Sequence, residues 1–169
     1  VAAIGQSSNI APADKKIYAL RDVTATVDSI PLIASSIMSK KLASGADAIL
    51  LDVKVGSGAF MKSLDEAHTL AQTMADIGRE NKRIVKAVIT DMDRPLGYAI
   101  GNALEIAEVI QTLRECGPRD LTDECLVMAA YLLVMSEKGD YDTCYAKVQT
   151  ALQNGEGLAK LRDLIISQG

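Results

Sequence analysis

Arg21 stands ahead of a helical segment that carries Ser36 and Lys40 one turn apart. At roughly 100° per residue the two side chains are separated by about 40°, so a hydroxyl and an ammonium share one face, flanked there by Leu32 and Ile33. Pro31 sits where a helix tolerates it best, in the first turn, where its missing N–H has no intrahelical partner, and Asp28 and Ser29 just before it can cap the free amides. The pattern predicts a helix over 31–43. Taken alone, the pair fits two descriptions: a polar site looking out from a partly apolar stripe, or a surface helix whose Lys40 snorkels over that stripe.

Residues 13–43 read as two helical pieces broken before Pro31. The stretch 46–53, Ala-Asp-Ala-Ile-Leu-Leu-Asp-Val, has the short continuous apolar run of a buried parallel strand. A helix over 63–80 follows, opened by the capping box Ser63-Leu-Asp-Glu66 and closed by basic residues around Asn81. β-Branched residues mark 83–90 as a second strand. Asn102-Ala-Leu-Glu105 starts another helix with a capping-box pattern, and helices near 120–137, 141–153 and 155–167 follow, punctuated by Gly139 and Asn154-Gly155. Strand, helix, strand implies a right-handed crossover and an α/β class. The chain has no internal repeat and no low-complexity segment.

Composition narrows the function classes. With 169 residues, 49% of them apolar, the chain can bury a core and fits one soluble domain or parts of two. A net charge of −4 and the lack of any Lys/Arg-rich run argue against a nucleic-acid surface. The longest strongly apolar stretch, 126–135, is too short to span a bilayer and follows Asp123 and Glu124 in the first turn of a helix. Cys116, Cys125 and Cys144 form no Cys-x-x-Cys pair and read as reduced thiols of a cytoplasmic protein, with Cys125 and Cys144 as small buried hydrophobes. His68, the only histidine, lies on a polar part of a helix without partner ligands and reads as a surface residue.

Longer strings add a resemblance. Tyr18-Ala-Leu-Arg21-Asp-Val-Thr-Ala-Thr, Ser29-Ile-Pro, then Ser36 and Lys40, resemble the pyrimidine nucleoside phosphorylase and thymidine phosphorylase family. Asp52-Val-Lys-Val-Gly-Ser-Gly-Ala-Phe60-Met, Thr90-Asp-Met and Pro95-Leu-Gly-Tyr-Ala-Ile-Gly-Asn-Ala-Leu-Glu105 continue it in the same order, over nearly the whole chain. The resemblance implies phosphorolysis of pyrimidine nucleosides (uridine, deoxyuridine, thymidine) to free base and a pentose 1-phosphate, with phosphate as co-substrate. It assigns base binding to Arg21, Ser36 and Lys40, with Arg21 and Lys40 catalytic. As the glycosidic bond breaks, negative charge accumulates on the carbonyl oxygens of the base, so cationic donors aimed there help the transition state more than the ground state. Ser36, one donor and two lone pairs, can fix which edge of the base is read.

The same resemblance implies an architecture: part of a small all-helical domain, 13–43, which also forms a homodimer interface, joined to part of a large α/β domain, 44–169, with mostly parallel strands and flanking helices. Residues 1–12 are then a linker from the large domain, and Ser44-Gly45 suits a hinge. It further implies a potassium ion held by loop carbonyls of Leu96 and Ala99 and the carboxylate of Glu108; a hard monovalent cation wants neutral carbonyl oxygens plus one anion. Read by itself, Glu108 would be a solvated helix acid.

The family's phosphate-binding elements have no counterpart in this sequence, so the chain is expected to be a central fragment, inactive in isolation. Gly56-Ser57-Gly58 lacks the spacing of a P-loop or a dinucleotide turn and reads as a turn after a strand. Phe60, the only Phe, fits either the wall of the base site or the core. Two other readings stand beside the phosphorylase. An anthranilate-type phosphoribosyltransferase shares the architecture but needs a diphosphate-binding glycine loop and metal-binding acids. A non-catalytic helical assembly module would use 16–41 as a dimer face.

Overall fold

The computed structural model describes residue 3 and residues 10–169. The expectation of a linker over 1–12 falls largely on residues 1, 2 and 4–9, which lie outside the described residues. The described chain is α/β and divides into two compact units between Arg94 and Pro95.

The first unit, 10–94, contains α1 (Pro12–Val23), α2 (Ile30–Ala43), β1 (Ala48–Val55), α3 (Leu64–Glu80) and β2 (Ile84–Asp91). β1 and β2 pair in parallel, with Ala48 opposite Ile84 and Val55 opposite Asp91, and α3 is the crossover between them. Alternate β1 residues Ile49, Leu51 and Val53 are buried, at 4 to 6% exposure, whereas Asp52 between them is exposed. The apolar run therefore resolves into a one-sided strand, because helices cover one face of this two-stranded ladder.

α3 opens with the predicted capping box: Ser63 Oγ accepts from the Glu66 amide at 3.3 Å and the Glu66 carboxylate accepts from the Ser63 amide at 3.2 Å. Its inner face presents Ala67, Leu70, Ala71 and Met74 to the core. α2 joins that core through Ile33, Ala34 and Met38, the last two fully buried. Ser29 holds the N-cap position of α2 but makes no side-chain capping bond. The reason is local: an N-cap side chain serves the amides two or three residues on, and here the first of these belongs to Pro31, which has none. The backbone still closes the first turn, with the Ile33 amide donating to the Ser29 carbonyl at 2.9 Å.

The second unit holds α4 (Asn102–Leu113), α5 (Arg119–Met135), α6 (Tyr141–Gln153) and α7 (Glu156–Gln168). Gly101, at φ 123°, takes the cap of α4, so the predicted box forms one residue early and by half: the Glu105 carboxylate accepts from the Gly101 amide at 2.9 Å. α5 begins at Arg119, which puts Asp120 rather than Asp123 and Glu124 in its first turn. Asp140 caps α6 by accepting from the Thr143 amide at 2.8 Å, a bond that holds its carboxyl below the usual range. Cys144 is buried as expected, but Cys125 is exposed. No helix among the described residues is long and apolar enough to cross a membrane.

Gly78 of α3 marks the tightest approach in the first unit. A Cβ added there would lie 2.0 Å from Val85 Cγ2 on β2 and 3.5 Å from Met38 Cε on α2. Helix propensity favours alanine over glycine by up to about 1 kcal/mol, whereas overpacking against a β-branched side chain with little rotamer freedom costs about 1–3 kcal/mol. The clash wins. Gly78→Ala is expected to lower the urea midpoint, and Val85→Ala in the same chain is expected to restore part of it; a Gly78→Ala midpoint at or above wild type would contradict this packing.

Candidate functional site

α1 and α2 line one cavity of about 730 Å³, within the size range of small-molecule sites. Arg21, in the last turn of α1, is 4% exposed. Its guanidinium lies 4.8 Å from the centroid of the Tyr18 ring, a cation–π contact, and its Nε has no hydrogen-bond partner among the described residues. An unpaired buried donor costs about 1–3 kcal/mol, more when charged, and an acceptor brought into the cavity would satisfy it.

Ser36 and Lys40 meet as their helical spacing requires: Lys40 Nζ donates to Ser36 Oγ at 2.9 Å. The same ammonium donates to the Asp14 carboxylate at 2.8 Å, across to the first turn of α1. Snorkelling is therefore not what Lys40 does; it is tied at both ends of a polar cluster. Burial pushes the Asp14 carboxyl up, but hydrogen bonds from Lys40 and Ser36, with the charges of Lys40 and Arg21, outweigh that and hold it below its ordinary value. Arg21, Ser36 and Lys40 thus line a common cavity. Phe60 joins them from the loop after β1 and is 56% exposed, so it belongs to the wall and not to the core.

Two participants were not singled out from the sequence, Asp14 and Tyr18. With Arg21 they fall at i, i+4 and i+7 of one helix, a single face, and that spacing was the available signal. Asp14's partner Lys40 is 26 residues away, beyond any local pattern.

All three amides of the Gly56-Ser57-Gly58 loop are occupied. Gly56 donates to the Met61 carbonyl at 3.0 Å, Gly58 to the Met92 carbonyl at 2.9 Å, and Ser57 to the Asp93 carboxylate at 2.8 Å. The segment is a turn, and an acid sits where a phosphate would have to go.

In the second unit, the loop that holds Ala99 packs against Glu108 of α4. Glu108 is 8% exposed, not a solvated acid, and its Oε1 accepts from the amides of Tyr98 and Ala99 at 3.0 Å each. Gly97, at φ 71°, lies so close that a Cβ there would stand 2.3 Å from Glu108 Oε2. The Gly97 amide donates to Asp120 at 3.2 Å. Burial of this carboxylate followed from none of the local sequence cues.

The sequence pattern of the glycosyl transferase family, a/b domain, matches residues 1–158. The chain belongs to this family. Among its relatives, the pyrimidine-nucleoside phosphorylases of Bacillus subtilis (strain 168) and of Staphylococcus epidermidis (strain ATCC 12228 / FDA PCI 1200) are each 55% identical to it over 170 residues, and that of Geobacillus stearothermophilus is 53% identical. All of this chain is covered in each alignment, and the chain spans 39% of the length of each of these relatives.

The cavity of the first unit presents the side-chain cations of Arg21 and Lys40, the second paired with Asp14. The Glu108 loop is testable on stability alone. Gly97→Ala is expected to cost about 1–3 kcal/mol, through the clash with Oε2 and the positive φ together, measured by urea unfolding. A wild-type midpoint for this variant would mean that the loop is not held against Glu108.

Proposed function

We propose that this chain supplies the base-binding wall of a pyrimidine nucleoside phosphorylase. In that reaction phosphate attacks the anomeric carbon of the nucleoside, the glycosidic bond breaks with its electron pair passing to the pyrimidine, and free base and a pentose 1-phosphate result. The observation that carries the reading is the buried Arg21 guanidinium with its unpartnered Nε, in the same cavity as the Lys40–Ser36 pair. Arg21 and Lys40 are donors to the carbonyl oxygens on which charge collects, and neither has to give up its proton. Ser36 reads the ring edge. The relatives named for this activity support the assignment.

In the whole protein, Arg21→Ala or Lys40→Ala is expected to lower kcat/KM for uridine, deoxyuridine or thymidine by roughly 10²-fold or more, the usual effect of deleting one donor to a developing anion. Ser36→Ala is expected to be milder. Wild-type kinetics for Lys40→Ala would sink the assignment.

The reading extends to a potassium ion held by the Glu108 carboxylate with the carbonyls of Leu96 and Ala99. The donor set fits: the Glu108 side chain is buried, Oε1 is spent on two amides, and Oε2 has no protein donor among the described residues. Such an ion would supply charge balance and stiffen the loop. Because a ligand that binds only the folded state stabilises it by mass action, potassium should raise the melting temperature of the whole protein, and Glu108→Gln should weaken that rise. A melting temperature that ignores potassium would refute the site. The proposal also includes a homodimer that covers the apolar side chains Ile17, Leu20 and Val23 of α1, exposed by 52 to 79%, and a cytoplasmic location.

A further inference from the structure

Phe60 lines the cavity with Arg21, Ser36 and Lys40 while 56% of it faces solvent, so burial of its own surface does not fix the ring there. The backbone on both sides does. On the C-terminal side Met61 is 3% exposed, bridges to Val55, and accepts at its carbonyl from the Gly56 amide at 3.0 Å. On the N-terminal side the Ala59 amide donates to the Gly56 carbonyl at 3.1 Å. The Ala59 carbonyl is held by Lys62, whose Nζ donates to it at 2.6 Å and to the Ser57 carbonyl at 2.9 Å. Two carbonyls turned toward one point need a donor there, and an ammonium has three. Lys62 is itself tied to the start of α3, its amide donating at 2.7 Å to Glu66, the carboxylate that also completes the capping box. The Ala59 carbonyl belongs to the peptide that carries the Phe60 nitrogen, and a peptide is planar. One ammonium therefore orients the plane from which the Phe60 side chain departs.

We propose that Lys62 is a positioning residue for the nucleoside: its clamp on Ser57 and Ala59 holds the Phe60 ring in the cavity wall, where the ring lies against the flat face of the base. The proposal rests on the reading that Arg21, Ser36 and Lys40 hold the base. A ring-to-ring contact is made to the face of the pyrimidine and not to the carbonyl oxygens on which charge collects, so bound substrate and transition state share it. The clamp is therefore expressed in binding and not in the bond-breaking step. Without the ammonium the two carbonyls turn to water, the peptide plane rotates, and the ring spreads over several orientations of which only some meet the base. Lys62 touches no reacting atom. It acts through Phe60.

The test is a double-mutant cycle on the whole protein with Lys62→Met and Phe60→Ala, read as KM and kcat for whichever of uridine and thymidine it cleaves faster. Methionine keeps most of the stem and removes the donors. KM is expected to rise roughly 3–10-fold in Lys62→Met and roughly 5–100-fold in Phe60→Ala, with kcat of Lys62→Met within about twofold of wild type. In the double variant the Lys62 change should add nothing to the Phe60 effect, and Lys62→Arg, which returns a cationic donor, should recover most of the KM. A Lys62→Met loss confined to kcat, or losses that multiply in the double variant, would mean a merely structural role and would overturn the proposal, as would an unchanged KM in Lys62→Met. Lys62→Gln is read in the same way should the Met variant not fold. If Phe60→Ala, Arg21→Ala and Lys40→Ala all leave kcat/KM unchanged, it is the base-binding reading that fails.

Discussion

The constraint on which the first unit depends is the burial of one side of α2. Ala34 and Met38, one turn apart and both fully buried, pack among Ile49, Leu51 and Val53 of β1 and Leu70, Ala71 and Met74 of α3. Removing a buried side chain of the size of Met38 costs about 2–5 kcal/mol, a large share of what holds a small domain together. With that side fixed, the helical period turns Ser36 and Lys40 away by roughly 160° from the Ala34–Met38 line. Ile33 lies between the two sectors and is part of both the core and the cavity wall. The polar side chains are thus aimed by the core and not by a loop, which is the arrangement that keeps a site within a fraction of an ångström of its working geometry.

α1 is held very differently. Arg21 is its only buried residue, and Ile17, Leu20 and Val23 face outward. Little apolar area attaches this helix to α2, so the ion pair between Asp14 and Lys40 is its main polar tie. Segments with few buried contacts open at low free-energy cost, so α1 is the less firmly held wall of the cavity. The charges follow the same division. Asp14 and Lys40 neutralise each other, whereas Arg21 has the Tyr18 ring and the carbonyl end of α1 for compensation. Arg21 and Lys15 bring the remaining positive charge to the cavity lining.

The legible part of this structure was whatever local chemistry dictates. Pro31, the Ser63–Glu66 box, Gly139 and Gly155 placed helix starts within a residue or so, and the β-branched run placed β2. Errors arose where two local rules compete: Pro31 removes the amide that Ser29 would have capped, and Gly101 takes the cap that Asn102-Ala-Leu-Glu105 advertises. Burial was the harder property. Cys125 lies in an apolar helical run yet is exposed, and Glu108 is an acid yet is buried; both depend on which neighbouring helices cover which face, information that periodicity within one helix does not contain. The Ser36–Lys40 contact was readable because it lies within a single turn of helix. The Asp14–Lys40 contact was not, because it joins two helices through a loop whose path the sequence leaves open.

Glu108 shows how a buried acid is accommodated without a protein cation. Charged hydrogen bonds from two loop amides offset part of its desolvation, and the glycine at 97 lets the backbone approach closely enough to supply them. Two amide dipoles do not cancel a whole charge, however, and no ion pair to Glu108 exists among the described residues. The loop shape is already set by these amides, so a monovalent cation at Oε2 would not have to build the turn; it would only complete the charge balance of a turn that exists.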